Sequence, residues 1–406
     1  MSVGLEYPTS LLPVKGIRLA AESANIYSNK RDDLVLIELA EGSVVSAVFT
    51  KNSFCAAPVQ IARQHLNEFE PRYCLINAGN ANAGTGKQGL LNSHSTCKVL
   101  ADLTDCKEME VLPFSTGVIG EDLPVENIKK TLPSLVEQLS DDQWLNAAAA
   151  IMTTDTIPKA VSNHISIEGT TVNITGIAKG AGMIKPDMAT MLAFIATDAN
   201  IAKELLNKML SNAVNKSFNR ITIDGDTSTN DACVLIATAQ SNNTLIDNQD
   251  SETYKTLENE LVNVFCDLAR SIVRDGEGAT KFITIKVNGG KEQAECLAVA
   301  YKIAESPLVK TAFTASDPNW GRILAAIGNS GIHELDISKI SIHLDNFSIV
   351  ENGQRSSTYT ELEAKKVMNQ DEIILSVSLN RGLCMEEIWT TDLSHEYITI
   401  NAEYRT

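Results

Sequence analysis

The chain has 406 residues, with 34 basic and 51 acidic side chains and a net charge of −17. That length exceeds one typical domain and suffices for one large core or two lobes. No Lys/Arg-rich run appears, which argues against nucleic acid, because phosphate binding needs a concentrated basic patch; an anionic small molecule would instead need a local cationic pocket.

No apolar run approaches the roughly 18 residues of a membrane span, so no membrane is expected as a partner. The first residues, Met1 to Pro8, carry neither a basic region nor an apolar stretch of the signal-peptide kind, and a cytoplasmic location is expected. The cysteines at 55, 74, 97, 106, 233, 266, 296 and 384 form no CxxC pair, as expected of reduced thiols. The histidines show no metal-ligand spacing, so no metal and no cofactor are expected.

In chain order, strands are expected over 33–40, 45–49, 73–76, 171–177, 191–196, 221–224, 233–238, 282–288, 340–350, 371–379 and 396–401. Helical periodicity covers 88–103, 125–138, 142–152, 202–217, 252–274 and 297–305. The irregular alternation points to a mixed α/β fold rather than a doubly wound parallel sheet. The polar stretch 240–252 is the one linker-like segment, and it reads as a solvated loop before a long helix.

Two segments imitate ligand loops and fail on spacing. Asn77 to Gln88 looks like a phosphate loop, but Ala81 stands where the first glycine is needed and Gln88 follows Lys87. Asp224 to Leu235 looks like a calcium loop, but its sixth position is Thr229 and its twelfth is Leu235, so the required Gly and Glu are missing.

The middle of the chain is the most reactive in composition. Residues 191–196, Met-Leu-Ala-Phe-Ile-Ala, read as a short buried strand, and Gly180, Gly182 and Pro186 precede it. Thr190 therefore stands at a loop-to-strand junction with Ala189 before it. Glycines and a proline can hold a peptide bond in an awkward geometry at a cost of about 1–3 kcal/mol. A hydroxyl there could attack the Ala189 carbonyl, and hydrolysis of the ester would cut the chain and free the α-amine of Thr190. That amine, with a reference pKa of about 7.7–8.0, could serve near neutrality as the base for its own hydroxyl. On pattern alone, the same residue reads more simply as a threonine entering a core strand.

Ser115-Thr116-Gly117, after the run Val111 to Phe114, offers a hydroxyl and an open backbone N–H, and by itself reads as an ordinary turn. Lys179 and Glu277 lie beside glycines, Met152 to Thr156 follows an alanine-rich helix, and the tail from Asn401 to Thr406 would commonly fray.

The segment Lys179 to Phe194, KGAGMIKPDMATMLAF, resembles the self-cleaving site of the ornithine acetyltransferase family, also called glutamate N-acetyltransferase, with its KG(A/S)GMI…MATML pattern. The resemblance continues in AVFTKN at 47–52, NAGNANAGTG at 77–86, STGVIG at 115–120, MTTDT at 152–156, FNRITIDGDTSTND at 218–231, DGEGATK at 275–281 and DPNWGRI at 317–323. Asp187 departs from the asparagine more usual in the family.

The resemblance implies stacked mixed β-sheets flanked by helices in αββα layers. It implies a cut between Ala189 and Thr190 into an α piece, 1–189, and a β piece, 190–406, assembling as a heterotetramer. Thr190 would be the nucleophile, with Thr116 and Gly117 as the oxyanion hole. Thr153 or Thr154, Lys179, Glu277, Asn401 and Thr406 would contact substrate. The implied reaction is ping-pong acetyl transfer from N-acetylornithine to glutamate, with acetyl-CoA left open as a second donor. An amidohydrolase or aminopeptidase using the same N-terminal nucleophile is the alternative.

Overall fold

In the computed structural model, residues 2–28, 31–185 and 191–403 are described. Three sheets organise them. The first has the order β1-β2-β4-β5, with β1 at Ile17–Glu22, β2 at Leu34–Leu39, β4 at Tyr73–Asn80 and β5 at Val111–Val118. The second has the order β3-β10-β8-β7-β6, comprising β3 (Val44–Phe49), β6 (Lys159–Ile167), β7 (Thr170–Lys179), β8 (Leu192–Thr197) and β10 (Ala232–Ala237). The third has the order β14-β13-β12-β15-β11-β16-β9, comprising β9 (Ile221–Thr222), β11 (Phe282–Gly290), β12 (Ser341–Leu344), β13 (Phe347–Glu351), β14 (Gln354–Arg355), β15 (Glu372–Ser378) and β16 (Cys384–Thr391).

The first two sheets stack face to face. Ile37 of β2, Ile76 of β4 and Phe114 of β5 share one apolar cluster with Ile177 of β7, Phe194 of β8 and Val234 of β10. Phe114 and Phe194 meet edge to face with ring centroids 5.0 Å apart, a preferred aromatic geometry. The outer face of the first sheet packs on α2 (Gly86–Thr104) and α3 (Val125–Glu137). That of the second packs on α5 (Lys203–Lys216) and α6 (Glu252–Arg274). The resulting layer order is αββα, as the family resemblance implies. In the third sheet, β11 (Phe282–Gly290), β12 (Ser341–Leu344), β13 (Phe347–Glu351) and β15 (Glu372–Ser378) bury a separate cluster under α7 (Gln293–Ala304), α8 (Pro307–Thr314) and α9 (Trp320–Gly328). Among the described residues no helix is long and apolar enough to cross a membrane.

β8 is buried at every residue because it is internal to its sheet and covered on both faces, which explains its uninterrupted apolar run. It pairs antiparallel with β7 and parallel with β10, with Ala232 opposite Leu192. The segment 340–350 is two antiparallel strands, β12 and β13, rather than one. The segment 396–401 is not a strand. It lies in a helix, α11 (His395–Ala402), although its β-branched residues favour extended backbone. Tertiary contacts override that preference: the Ser394 hydroxyl donates to Gly278 O at 2.6 Å and Tyr397 OH to Asp224 at 3.2 Å.

The stacking of the two sheets makes Phe194 a test of the core. Phe194→Ala is expected to reduce unfolding free energy by about 3–5 kcal/mol in a urea titration. A loss under about 1 kcal/mol would show that this interface does not hold the layers together.

Candidate functional site

Thr116 and Gly117 lie inside β5 rather than in a turn. The strand tolerates Pro113 because β5 is the edge of its sheet, where a missing N–H leaves no ladder bond unmade. Gly117 has φ +132°, and a Cβ there would stand 2.2 Å from the Gly79 carbonyl carbon, so only glycine fits. Asn230 secures this strand from the loop ahead of β10: its side-chain amide donates to Ser115 O at 2.9 Å and to Ala81 O at 2.6 Å.

Behind Thr116 a buried cation organises three turns. Lys159 of β6 is ion-paired with Asp155 and, at 2.6 Å, with Asp275, all with essentially no side-chain exposure. Asp155 also accepts from Thr153 N–H at 2.9 Å and Gly180 N–H at 2.7 Å. Asp275 accepts from Thr156 N–H at 2.9 Å, from the Thr156 hydroxyl and from Ile157 N–H at 3.3 Å. The cluster thus fixes the turn bearing Thr153 and Thr154, the end of β7 bearing Lys179, and the turn two residues before Glu277. Burial alone would raise the carboxyl pKa of Asp155, but the charges of Lys159 and Lys179 outweigh it and hold the group well below the usual range.

Lys179 extends from β7 and donates to Thr116 Oγ1 at 3.2 Å. Burial lowers its pKa, while the charges of Asp155, Asp231 and Glu277 counter that shift in part. Glu277 donates its N–H to Ala181 O at 2.8 Å, and its carboxylate accepts from Asn401 Nδ2 at 2.7 Å. A Cβ on Gly182 would lie 2.4 Å from that carboxylate, so the glycine is what lets the 180–185 segment pass over Glu277. Asp224 anchors the same segment, accepting from Met183 N–H at 2.6 Å and Ile184 N–H at 2.9 Å.

These pieces enclose a cavity of about 290 Å³. Thr116, Gly117, Thr153, Thr154, Lys179, Glu277 and Asn401 all line it, as do Met191, Asn230 and Asp231. Ala189, Thr190 and Thr406 lie outside the described residues. Met191, which follows Thr190 in the chain, is on the cavity wall. The residues to which sequence reasoning gave no role at the site are Lys159, Asp275, Asn230 and Asp231. The last two close the 218–231 stretch that carries part of the family resemblance.

The fold also gathers groups whose sequence spacing gave no hint of proximity. His65, His94 and Glu108 offer ligand atoms within 4.8 Å of one another, with His65 Nδ1 against Val111 O and His94 Nδ1 against Glu108. None of the three lines the cavity.

In chemical terms the cavity joins a hydroxyl, a cation beside it and a carboxylate with an amide. Such a set can hold an amino acid by its charged ends and meet an oxyanion. The model of the ArgJ family matches residues 18–406. The arginine biosynthesis bifunctional protein ArgJ of Pseudomonas fluorescens (strain Pf0-1) is 52% identical over 406 residues, covering 100% of both chains. The protein of the same name from Methylococcus capsulatus (strain Bath) is 54% identical over 396 residues, 98% of this chain and 97% of its own. The crystal structure of arginine biosynthesis bifunctional protein ArgJ from Bacillus halodurans is 38% identical with a TM-score of 0.49, over 51% of this chain and 96% of that one.

The buried cation gives a test with a distinctive sign. Lys159→Met leaves two carboxylates without their counter-charge and is expected to cost about 3–5 kcal/mol at pH 7. In the wild type, the folded pKa of Asp155 is depressed, so its contribution is present above the unfolded value of about 3.9 and lost as pH falls below it. In the variant, burial of Asp155 is no longer opposed by Lys159, its carboxyl pKa rises, and stability should increase as pH falls from 7 toward 5. Urea midpoints across that range check it, and a variant whose stability does not rise on acidification would contradict the charge assignment.

Proposed function

The chain belongs to the ArgJ family, and from that premise we infer that it is an arginine-biosynthesis enzyme that transfers acetyl from N2-acetylornithine to glutamate, releasing ornithine and N-acetylglutamate. The proposed nucleophile is Thr190, freed by self-cleavage after Ala189 and activated by its own α-amine. Thr116 Oγ1 and the Gly117 N–H would receive the oxyanion of the tetrahedral intermediate, a role in which losing one donor typically costs about 2.7–4 kcal/mol. The Lys179 ammonium beside Thr116 adds positive charge where that oxyanion develops. Glu277 supplies the charge that suits the side-chain ammonium of ornithine, with Asn401 steadying its carboxylate. Thr153, Thr154 and Thr406 are proposed substrate contacts.

The observation that carries this reading is the convergence on one cavity of residues from five separate parts of the chain, namely Thr116 and Gly117, Thr153 and Thr154, Lys179, Glu277, and Asn401, beside Met191. Cleavage at 189/190 would leave β8 as the first strand of the piece 190–406, held between β7 and β10. The two pieces would share one sheet and so remain together, consistent with assembly as a cytoplasmic heterotetramer of α and β pieces. The relatives are bifunctional arginine biosynthesis proteins, and acetyl-CoA is proposed as a second donor to glutamate for this chain.

A burst experiment tests the reading. With N-acetylornithine alone, the protein is expected to release one ornithine and to retain one acetyl group on the 190–406 piece, detected by intact mass. Glutamate should then discharge that ester far faster than water does, because an exposed acyl-enzyme would hydrolyse. Discharge at equal rates with and without glutamate would favour a hydrolase, and absence of any acetyl-enzyme would overturn the ping-pong route.

A further inference from the structure

Asp231 lines the cavity but has no place in the mechanism above. Its residue is 3% exposed, and its Oδ2 is buried with no hydrogen-bond partner among the described residues. The backbone around it is fixed on both sides: Thr50 N–H donates to Asp231 O at 3.0 Å, and Ala232 N–H donates to Met191 O at 3.0 Å. The second bond sets Asp231 directly across from the start of β8. A buried carboxyl oxygen left unmatched is costly, and such groups persist where a site uses them.

The charges around it are few. Lys179 faces it from β7, Ser228 hydrogen-bonds it from its own loop, and Cys55 stands near enough for the Asp231 charge to raise the thiol pKa. Burial pushes the Asp231 carboxyl well above the usual range, and Ser228 and Lys179 offset that only in part. Burial thus favours the neutral acid, and the oxygen that lacks a partner faces no competing donor from which it would have to be freed before giving a proton.

The transfer reaction has a use for one stored proton. When the acetyl C–N bond breaks and the Thr190 ester forms, the hydroxyl proton passes to the leaving nitrogen and yields a neutral amine. Ornithine leaves as an ammonium and needs one proton more. Glutamate arrives as an ammonium and must lose one proton before its nitrogen can attack. When it attacks, the C–N bond forms, the ester C–O bond breaks, and the second proton returns to the Thr190 oxygen.

We propose that Asp231 is a further catalytic residue, resting on the acetyl-transfer reading above, that gives its proton to the departing amine and regains it from the ammonium of the incoming amino acid. Between the two half-reactions Asp231 is a carboxylate balanced by the nearby Lys179 charge. No proton is exchanged with bulk water in either half-reaction, so each chemical step can proceed with solvent excluded from the cavity.

The test uses the ornithine burst in a weakly buffered solution with a pH indicator. Wild-type protein given N-acetylornithine alone should release ornithine with no proton taken from solution. Asp231→Asn keeps the shape but cannot hold the proton; its burst should slow by about 10²–10⁴-fold with KM little changed, and should draw about one proton per ornithine from the medium. Asp231→Glu should restore part of the rate. An undiminished burst in Asp231→Asn, or a wild-type burst that consumes one proton per ornithine, would overturn the proposal. Should Asp231→Asn fail to fold or to be processed, the wild-type proton count decides alone. Wild-type protein that releases no ornithine would overturn the acetyl-transfer reading itself, and this inference with it.

Discussion

The site depends on one buried cation. Lys159 projects from β6 between Asp155 and Asp275, and the two carboxylates spend their remaining lone pairs on backbone N–H groups of Thr153, Thr156, Ile157 and Gly180. Buried ion pairs contribute little net stability compared with apolar packing, so this one is better understood as a device for register. Three turns distant in sequence are fastened to a single ammonium, and each carries a proposed substrate contact at or within two residues of the fastening. Without it, the turns bearing Thr153 and Glu277 would lose their common anchor to the end of β7 that bears Lys179.

Around that fixed point the sheets do different work. The first sheet brings β5 and its close approach to Gly79, which leaves Thr116 facing Lys179 across the stack. The second sheet carries the start of β8 to the cavity wall and clamps it between β7 and β10. A strand so held gives a nucleophile at its head a rigid base, and rigidity is what positioning catalysis requires. The chain as a whole is strongly acidic, yet the cavity contains Lys179 beside Thr116, the local cationic feature an anionic substrate needs.

The apolar run of β8 and the long amphipathic pattern of α6 were legible in the sequence, because burial on both faces or one face leaves a direct imprint on residue order. The layer order and the roles of Thr116, Lys179 and Glu277 came instead from family resemblance, since a lysine beside glycines or an STG triplet has no signature of its own. β5 escaped detection because Pro113 and Gly117 read as breakers, which an edge strand and a crowded backbone both accommodate. α11 was misread because Tyr-Ile-Thr-Ile favours a strand locally, while the contacts that make it a helix come from Gly278 and Asp224 more than a hundred residues away. Lys159, Asp275 and Asp231 were invisible for the same reason: their chemistry lies in partners that only the fold supplies.

In the proposed mechanism a threonine hydroxyl at position 190, armed by its own newly freed α-amine, carries the acetyl group. N-terminal sequencing of active protein, wild type and Thr190→Ala side by side, tests it most directly. The expected result is a second N-terminus at Thr190 in the wild type, and one uncut, inactive chain in the variant. Active wild-type protein lacking that terminus, or a Thr190→Ala chain that still transfers acetyl, would contradict it.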